Sequence, residues 1–282
     1  MKDRYLNLFT DFGFKKLFGE EASKQHLISF LNTLLPEKHY IQDLHFSSNE
    51  KQGASLIDRR AIFDLSCISN RGEHFIVELQ KAKQNFFKDR SVFYATFPIQ
   101  QQAEQGEWNF KLAAVYTIGI LDFVFDEDLH QGNHDVIHRV QLKNQYHHVF
   151  YDKLTFIYLT LPNFKKTVEE LETDQDKWFF IFRHLHELQE VPPQLQQNLF
   201  ISLFDKAQIT QFSPEERLAY ENSLKIYRDL KNVVDSAREE GREEGREEKT
   251  IELARNLLDV LNDATIAAKT GLDIDRVKQL RG

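Results

Sequence analysis

Hydrophobic and polar positions along the chain follow two rhythms. Residues 8–35 keep the helical one: "TDFGFKKLFGEE" leads into "SKQHLISFLNTLL", where Leu27, Phe30, Leu31 and Leu34 recur at helical spacing, and Pro36 ends the pattern. The period then shortens to two. "YIQDLHF" (40–46) predicts a first strand and "AIFDLSCIS" (61–69) a second, with Phe63, Leu65 and Cys67 on one face and Ile62, Asp64 and Ser66 on the other. "NRGE" (70–73) is a turn, and "HFIVELQ" returns as a third strand, so 61–80 reads as a hairpin or meander. In that strand Phe75, Val77 and Leu79 face a core, which leaves Glu78 and Gln80 on the other face with Ile76.

Residues 81–105 predict a helix, because Lys83, Phe87, Arg90, Tyr94, Phe97 and Gln101 share one face, with Pro98 expected to kink or break it. "AVYTIGILDFVF" (114–125) is a strong strand in which Gly119 allows a close approach. "VIHRVQL" (136–142) and "LTFIYLTLP" (154–162) are strands, the latter stopped by Pro162. From 167 onward only helical patterns remain. "REEGREEGREE" (238–248) repeats every four residues and predicts an exposed, flexible helical linker, and 264–280 predicts two short helices joined at "TGLD". The tail is read as a helical hairpin or oligomer contact in preference to a helix-turn-helix. The division expected is 1–166 with all the strands, 167–235 helical, 236–250 a charged linker helix and 251–282 a small helical tail.

Composition narrows the class. With 41% hydrophobic residues and 24 phenylalanines, a sizeable core can be buried. One cysteine, Cys67, excludes an intramolecular disulfide framework and a cysteine-based zinc site. "MKDRYLNLFT" lacks the apolar segment of a signal peptide, and no run approaches the ~18 apolar residues of a membrane span. The expectation is a soluble, cytoplasmic protein without membrane contact. A net charge of −8 argues against a strongly basic nucleic-acid coat but leaves room for a local basic groove.

Asp64 and Glu78 each interrupt an apolar strand. A solvent-facing strand surface would explain them without function. If the two odd faces coincide, Asp64, Glu78 and Gln80 converge. Two carboxylates on adjacent strands then make a hard-cation site suited to Mg²⁺, which can bind through one or two carboxylates plus substrate phosphate. The spacing D-x₁₃-E-x-Q is weak by itself. Asp11 has two readings, a further acid beside this cluster or the N-cap of "FGFKKLF". Glu20, Glu21 and Glu50 read as solvated charges, and "YHH" (146–148) and "HLH" (184–186) show no metal-ligand spacing.

The surrounding blocks carry a resemblance. "FTDFGFKKLFG" (9–19), residues 59–123 through the strands with Asp64 and Glu78, "FIYLTLPNFKK" (156–166), "DKWFFIF" (176–182) and the "GREEGREE" repeat resemble, in order, the PD-(D/E)XK nuclease family transposases, the recombination-promoting nucleases. The resemblance implies an α/β restriction-endonuclease-like core, a mixed sheet flanked by helices, that binds Mg²⁺ (Mn²⁺ as an alternative) and cleaves DNA. It implies Asp64, Glu78 and the Leu79 main-chain carbonyl as metal ligands and Gln80 as a catalytic residue where the general motif has Lys. Gln carries no charge and cannot act as a base near neutral pH, but it can orient a water. Lys83, Arg90 and Tyr94, on the predicted helix face, are assigned to DNA phosphates. Lys81 falls on the opposite strand face. A second reading is a degenerate nuclease fold acting as a DNA-binding or oligomeric scaffold, self-associating through the C-terminal helices.

Overall fold

The structure, a computed structural model, describes residues 3–47, 50–51, 61–103 and 109–282, with the backbone alone at 50–51 and 61–62. The Glu50 side chain and residues 104–105 of the predicted helix lie outside the described parts. In chain order the elements are α1 (Asp11–Phe18), α2 (Lys24–Asn32), β1 (Leu44–Phe46), β2 (Glu50–Lys51), β3 (Ala61–Ile62), β4 (Leu65–Ser69), β5 (His74–Gln80), α3 (Phe87–Gln101), β6 (Val115–Leu121), α4 (Asp126–Gln131), β7 (Ile137–Lys143), β8 (Val149–Thr160), α5 (Asp174–His184), α6 (Asn198–Ala207), α7 (Pro214–Leu257), α8 (Asp263–Thr270) and α9 (Ile274–Arg281).

Six strands form one mixed sheet in the order β1-β4-β5-β6-β8-β7; β5, β6 and β8 run parallel, and the outer pairings are antiparallel. The mixed sheet with flanking helices and a helical C-terminal region is the α/β architecture expected. One face of the sheet (Leu65, Cys67, Phe75, Val77, Leu79, Ile118, Ile157) packs in the main core with α1, α2, α5 and α6. There Phe18 stacks on Phe182 at 5.4 Å, and Trp178, fully buried, donates from Nε1 to Ser29 Oγ at 3.2 Å. Thr173 and Asp176 cap the start of α5 reciprocally, and Trp178, Ile181, Phe182 and Leu185 then recur at helical spacing on its buried side. Each such side chain contributes about 1.5–3 kcal/mol on burial. These aromatics cover the back of the sheet, and the compact unit continues through Arg228.

The opposite face is covered by α3. Phe87, Ala95, Val115, Leu121, Phe125, Phe156 and Tyr158 pack in one cluster there, and Phe63, Ile76 and Phe97 in another. Gly119 makes the seat for α3: a Cβ there would lie 2.9 Å from Tyr158 Cδ1 and 3.3 Å from the Phe87 ring. The close approach expected at Gly119 is therefore the approach of these two rings.

Several predicted elements differ. Residues 8–35 form two helices because the chain turns at Gly19. The strand 61–69 breaks at Asp64, which resets the alternation: Phe63 sits under α3 against Tyr94 and Phe97, not in the core of Leu65 and Cys67. The helix predicted from 81 starts at Phe87, after a loop ending in Phe86 with φ 60°. Pro98 does not end it; it lies in the last turn, where the missing N–H removes a single helical bond. The final core strand begins at Val149, five residues before the predicted start at 154.

The second compact unit, Asp229–Gly282, is helical. The REEG repeat lies within α7 and is exposed along its length. Ala254, Ile266 and Val277 form a small core with Leu257 of α7, Leu280 of α9 and the loop residues Leu258, Leu261 and Leu272. Gly271, at φ 77°, turns the chain between α8 and α9, where "TGLD" predicts the joint. Among the described residues no helix is long and apolar enough to cross a membrane.

Candidate active site

β4 and β5 are antiparallel with Leu65 opposite Val77, so one further step sets Asp64 opposite Glu78. Where β4 begins, the chain bends, and the Asp64 side chain replaces a ladder partner: Leu79 N–H donates to Asp64 Oδ2 at 2.6 Å, and Asp64 N–H donates to Glu78 Oε1 at 3.3 Å. Gln80 Nε2 donates to Glu78 Oε2 at a long 3.5 Å. Asp64, Glu78 and Gln80 thus come together as predicted from the two odd faces.

The plain alternative, a solvent-facing strand, does not hold. Glu78 is 7% and Gln80 6% exposed, because α3 lies over this face. Burial drives both acids toward the neutral form. Glu78 is pushed up to about 8, by burial first and then by the Asp64 charge, against opposing contributions from the Asp64 N–H and Arg90. Asp64 is raised as well, by burial first; the Leu79 hydrogen bond opposes this, the Asp11 charge adds to it, and Lys15 and Lys81 counter it.

Arg90 and Tyr94 reach the site from α3. The Arg90 guanidinium lies 5.7 Å from the Phe87 ring and 5.8 Å from the Tyr94 ring, and its Nη1 donates to Gln84 Oε1 at 2.5 Å. Tyr94 is half-buried against Phe63; burial, followed by the Glu78 charge, keeps its hydroxyl protonated beyond the usual tyrosine range. Lys83 is placed differently from expectation. It precedes α3, is exposed, and pairs with Asp126. Asp11 is not the cap of α1: Thr10 takes that place, accepting from Gly13 N–H at 3.0 Å, a position its hydroxyl type and place before the helical run predict. Asp11 is exposed and paired with Lys15 at 3.1 Å. Sequence reasoning missed Lys15 and set Lys81 on the opposite strand face, yet both charges act on Asp64. The period-two alternation on which that placement rests ends with β5 at Gln80.

The sequence from α1 to α7 matches one family's sequence model, over residues 8–237. The chain belongs to the PD-(D/E)XK nuclease family transposases. No curated protein and no solved structure matches it. Nucleases of this PD-(D/E)XK type act on DNA and generally use divalent metals. The donor set here fits such an ion: carboxylate oxygens are hard ligands, and a divalent cation would offset the burial that raises both acids and the Asp64 charge that adds to it at Glu78. Among the described residues no group of three or more His, Cys, Asp or Glu side chains is arranged to hold a metal. Hard divalent cations can be held by one or two protein carboxylates when water and substrate phosphate supply the remaining ligands.

Proposed function

We propose that this chain hydrolyses DNA phosphodiester bonds with Mg²⁺, or Mn²⁺, held by Asp64, Glu78 and the Leu79 main-chain carbonyl, in the service of DNA recombination. The observation that carries this is the pair Asp64–Glu78 on adjacent strands, Glu78 buried and Asp64 half-buried, with Asp64 N–H donating to the Glu78 carboxylate. The Leu79 N–H bonds Asp64, and on an extended strand the C=O of the same residue points to the same edge, toward that acid. When bound, such a cation polarises a phosphoryl oxygen and lowers the pKa of a ligated water. Gln80, neutral and held beside Glu78, orients the attacking water through its amide. Arg90 supplies positive charge to the incoming phosphate from the α3 side, and Tyr94 a hydroxyl donor. Lys15 and Lys81 do so from the Asp64 side. Lys83 contacts phosphate only after leaving Asp126.

We assign the chemistry to residues 1–166, with 167–235 as its helical buttress, 236–250 as linker helix and 251–282 as tail, in a cytoplasmic protein. Self-association is assigned to the C-terminal helices, where Ile226, Leu230 and Val233 stand exposed on α7; a monomer in sedimentation refutes that part. The test of the chemistry is plasmid nicking by purified protein with Mg²⁺ and with EDTA. Asp64→Asn and Glu78→Gln are expected to lose metal-dependent nicking, and undiminished nicking by both refutes the assignment. Gln80, in the place of the motif's Lys, favours a second reading, a fold that binds DNA without cutting it. DNA retention by a wild-type chain that never nicks would establish that reading instead.

A further inference from the structure

Beyond the acid pair, a notch of about 260 Å³ opens at the carboxyl ends of the parallel strands β5 and β6, between residues 83–89 and 123–127. This is where open α/β sheets place their ligands. Its floor is aromatic. Phe87 meets Phe123 edge-on at 6.2 Å, and Phe123 meets Phe125 at 6.0 Å. At its rim stands Phe86, 79% exposed, with its backbone in the left-handed region at φ 60°, ψ 24°. That conformation is uncommon for a bulky side chain and is found where surrounding structure and function demand it.

The polar lining has a distinct character. Lys83 pairs with Asp126, and Lys88 pairs with Glu127 at 3.0 Å while lying 4.8 Å above the Phe125 ring. With Asp89, two lysines stand against three carboxylates, so the notch offers a phosphate no net positive charge. It does offer acceptors in these carboxylates and donors in the first turn of α3, which has no side-chain cap. A flat group with an apolar face and an edge of mixed donors and acceptors fits this lining, and a nucleobase is such a group. The notch is also tied to the acid pair: Gln84, in its wall, accepts from Arg90, whose charge acts on Glu78.

We propose that this notch receives a nucleobase of the DNA strand beside the scissile phosphate, stacked on Phe86. The proposal rests on the nuclease reading for its substrate, but its test needs no cleavage. The full chain is titrated in EDTA at low salt with a short single-stranded oligonucleotide and with an abasic one of equal length. Phe86→Ala is expected to weaken binding of the base-bearing strand about tenfold, the scale of one base–aromatic stack, and to leave the abasic strand unchanged. Phe86→Trp is expected to restore the affinity, with tryptophan fluorescence above the wild-type background quenched by the base-bearing strand alone. Equal losses on both strands, no loss on either, no binding of the base-bearing strand by the wild type, or an unquenched tryptophan overturns the proposal. Quenching by peptides but not by DNA assigns the notch to a protein partner and overturns it too. Failure of the nuclease reading would show separately, as nicking that survives the loss of Asp64 and Glu78.

Discussion

Glu78→Gln isolates the electrostatic strain in the acid pair. The substitution keeps the side chain's shape and its Oε1, which accepts from Asp64 N–H, but removes the charge. The folded chain holds the Glu78 proton up to about pH 8, whereas a glutamate in the unfolded chain releases it near 4.5. The folded state therefore binds this proton more tightly. The stability it confers is complete below about 4.5 and is lost as pH rises toward 8. At about 1.4 kcal/mol per pH unit, and a little over three units, the loss comes to about 4 kcal/mol. Burial is its first cause and the Asp64 charge its second. Urea unfolding of the metal-free chain is expected to show the wild type approaching Glu78→Gln in stability at pH 5 and falling below it by several kcal/mol at pH 8. Divalent cation should close the gap at pH 8 for the wild type alone, because only the wild type presents both carboxylates. A difference between the two proteins that changes by less than about 1 kcal/mol from pH 5 to 8 would refute the reasoning, since the acid would then be ionised in the fold at little cost.

Asp64→Ala leaves the Leu79 N–H without its 2.6 Å acceptor and should unfold about 1–3 kcal/mol more easily than Asp64→Asn, whose amide oxygen can still accept, in the same urea assay. Gly119→Ala places a methyl 2.9 Å from Tyr158 and 3.3 Å from Phe87; overpacking should cost about 1–3 kcal/mol, and an unchanged urea midpoint would show that α3 does not rest on this residue. Arg183 donates from Nη1 to the carbonyls of Leu161, Pro162 and Phe164 at 3.1, 3.2 and 2.6 Å, tying the end of β8 to α5, so Arg183→Ala should cost about 2 kcal/mol or more by thermal unfolding.

The faces of β5 were legible because period two assigns them without knowledge of the neighbours: Phe75, Val77 and Leu79 are in the main core, and Ile76, Glu78 and Gln80 are opposite. The partnership of Asp64 with Glu78 was legible once 61–80 was read as a hairpin. The phase of Phe63 was not. The apolar run continues through Asp64 without a turn residue, and the bend there comes from a carboxylate bonding across to Leu79, a tertiary event. The start of α3 was hidden for a similar reason. Lys81 to Asn85 fit a helix locally, but β5 continues to Gln80, whose carbonyl accepts from Asp122 N–H, and Phe86 then turns left-handed. Placing the helix six residues early set Lys83 on the site-facing side. Burial of the acids could not be read from β5 at all, because it depends on α3 settling over Gly119.

The uncharged residue at position 80 acquires a physical meaning from where the cations lie. A lysine in that buried place, beside Glu78, would favour the ionised form of that acid in the resting protein. With Gln80 there, the positive charges acting on the pair come from its rim: Arg90 on Glu78, Lys15 and Lys81 on Asp64. Lys15 is exposed, and Lys81 and Arg90 are half-exposed, so each can turn toward a phosphate at small desolvation cost. Glu78 keeps its proton toward pH 8, and a divalent ion bound as proposed would have to displace it. Loading of that ion is then coupled to proton release and should tighten as pH rises toward 8, while the rim cations remain available to the nucleic-acid backbone.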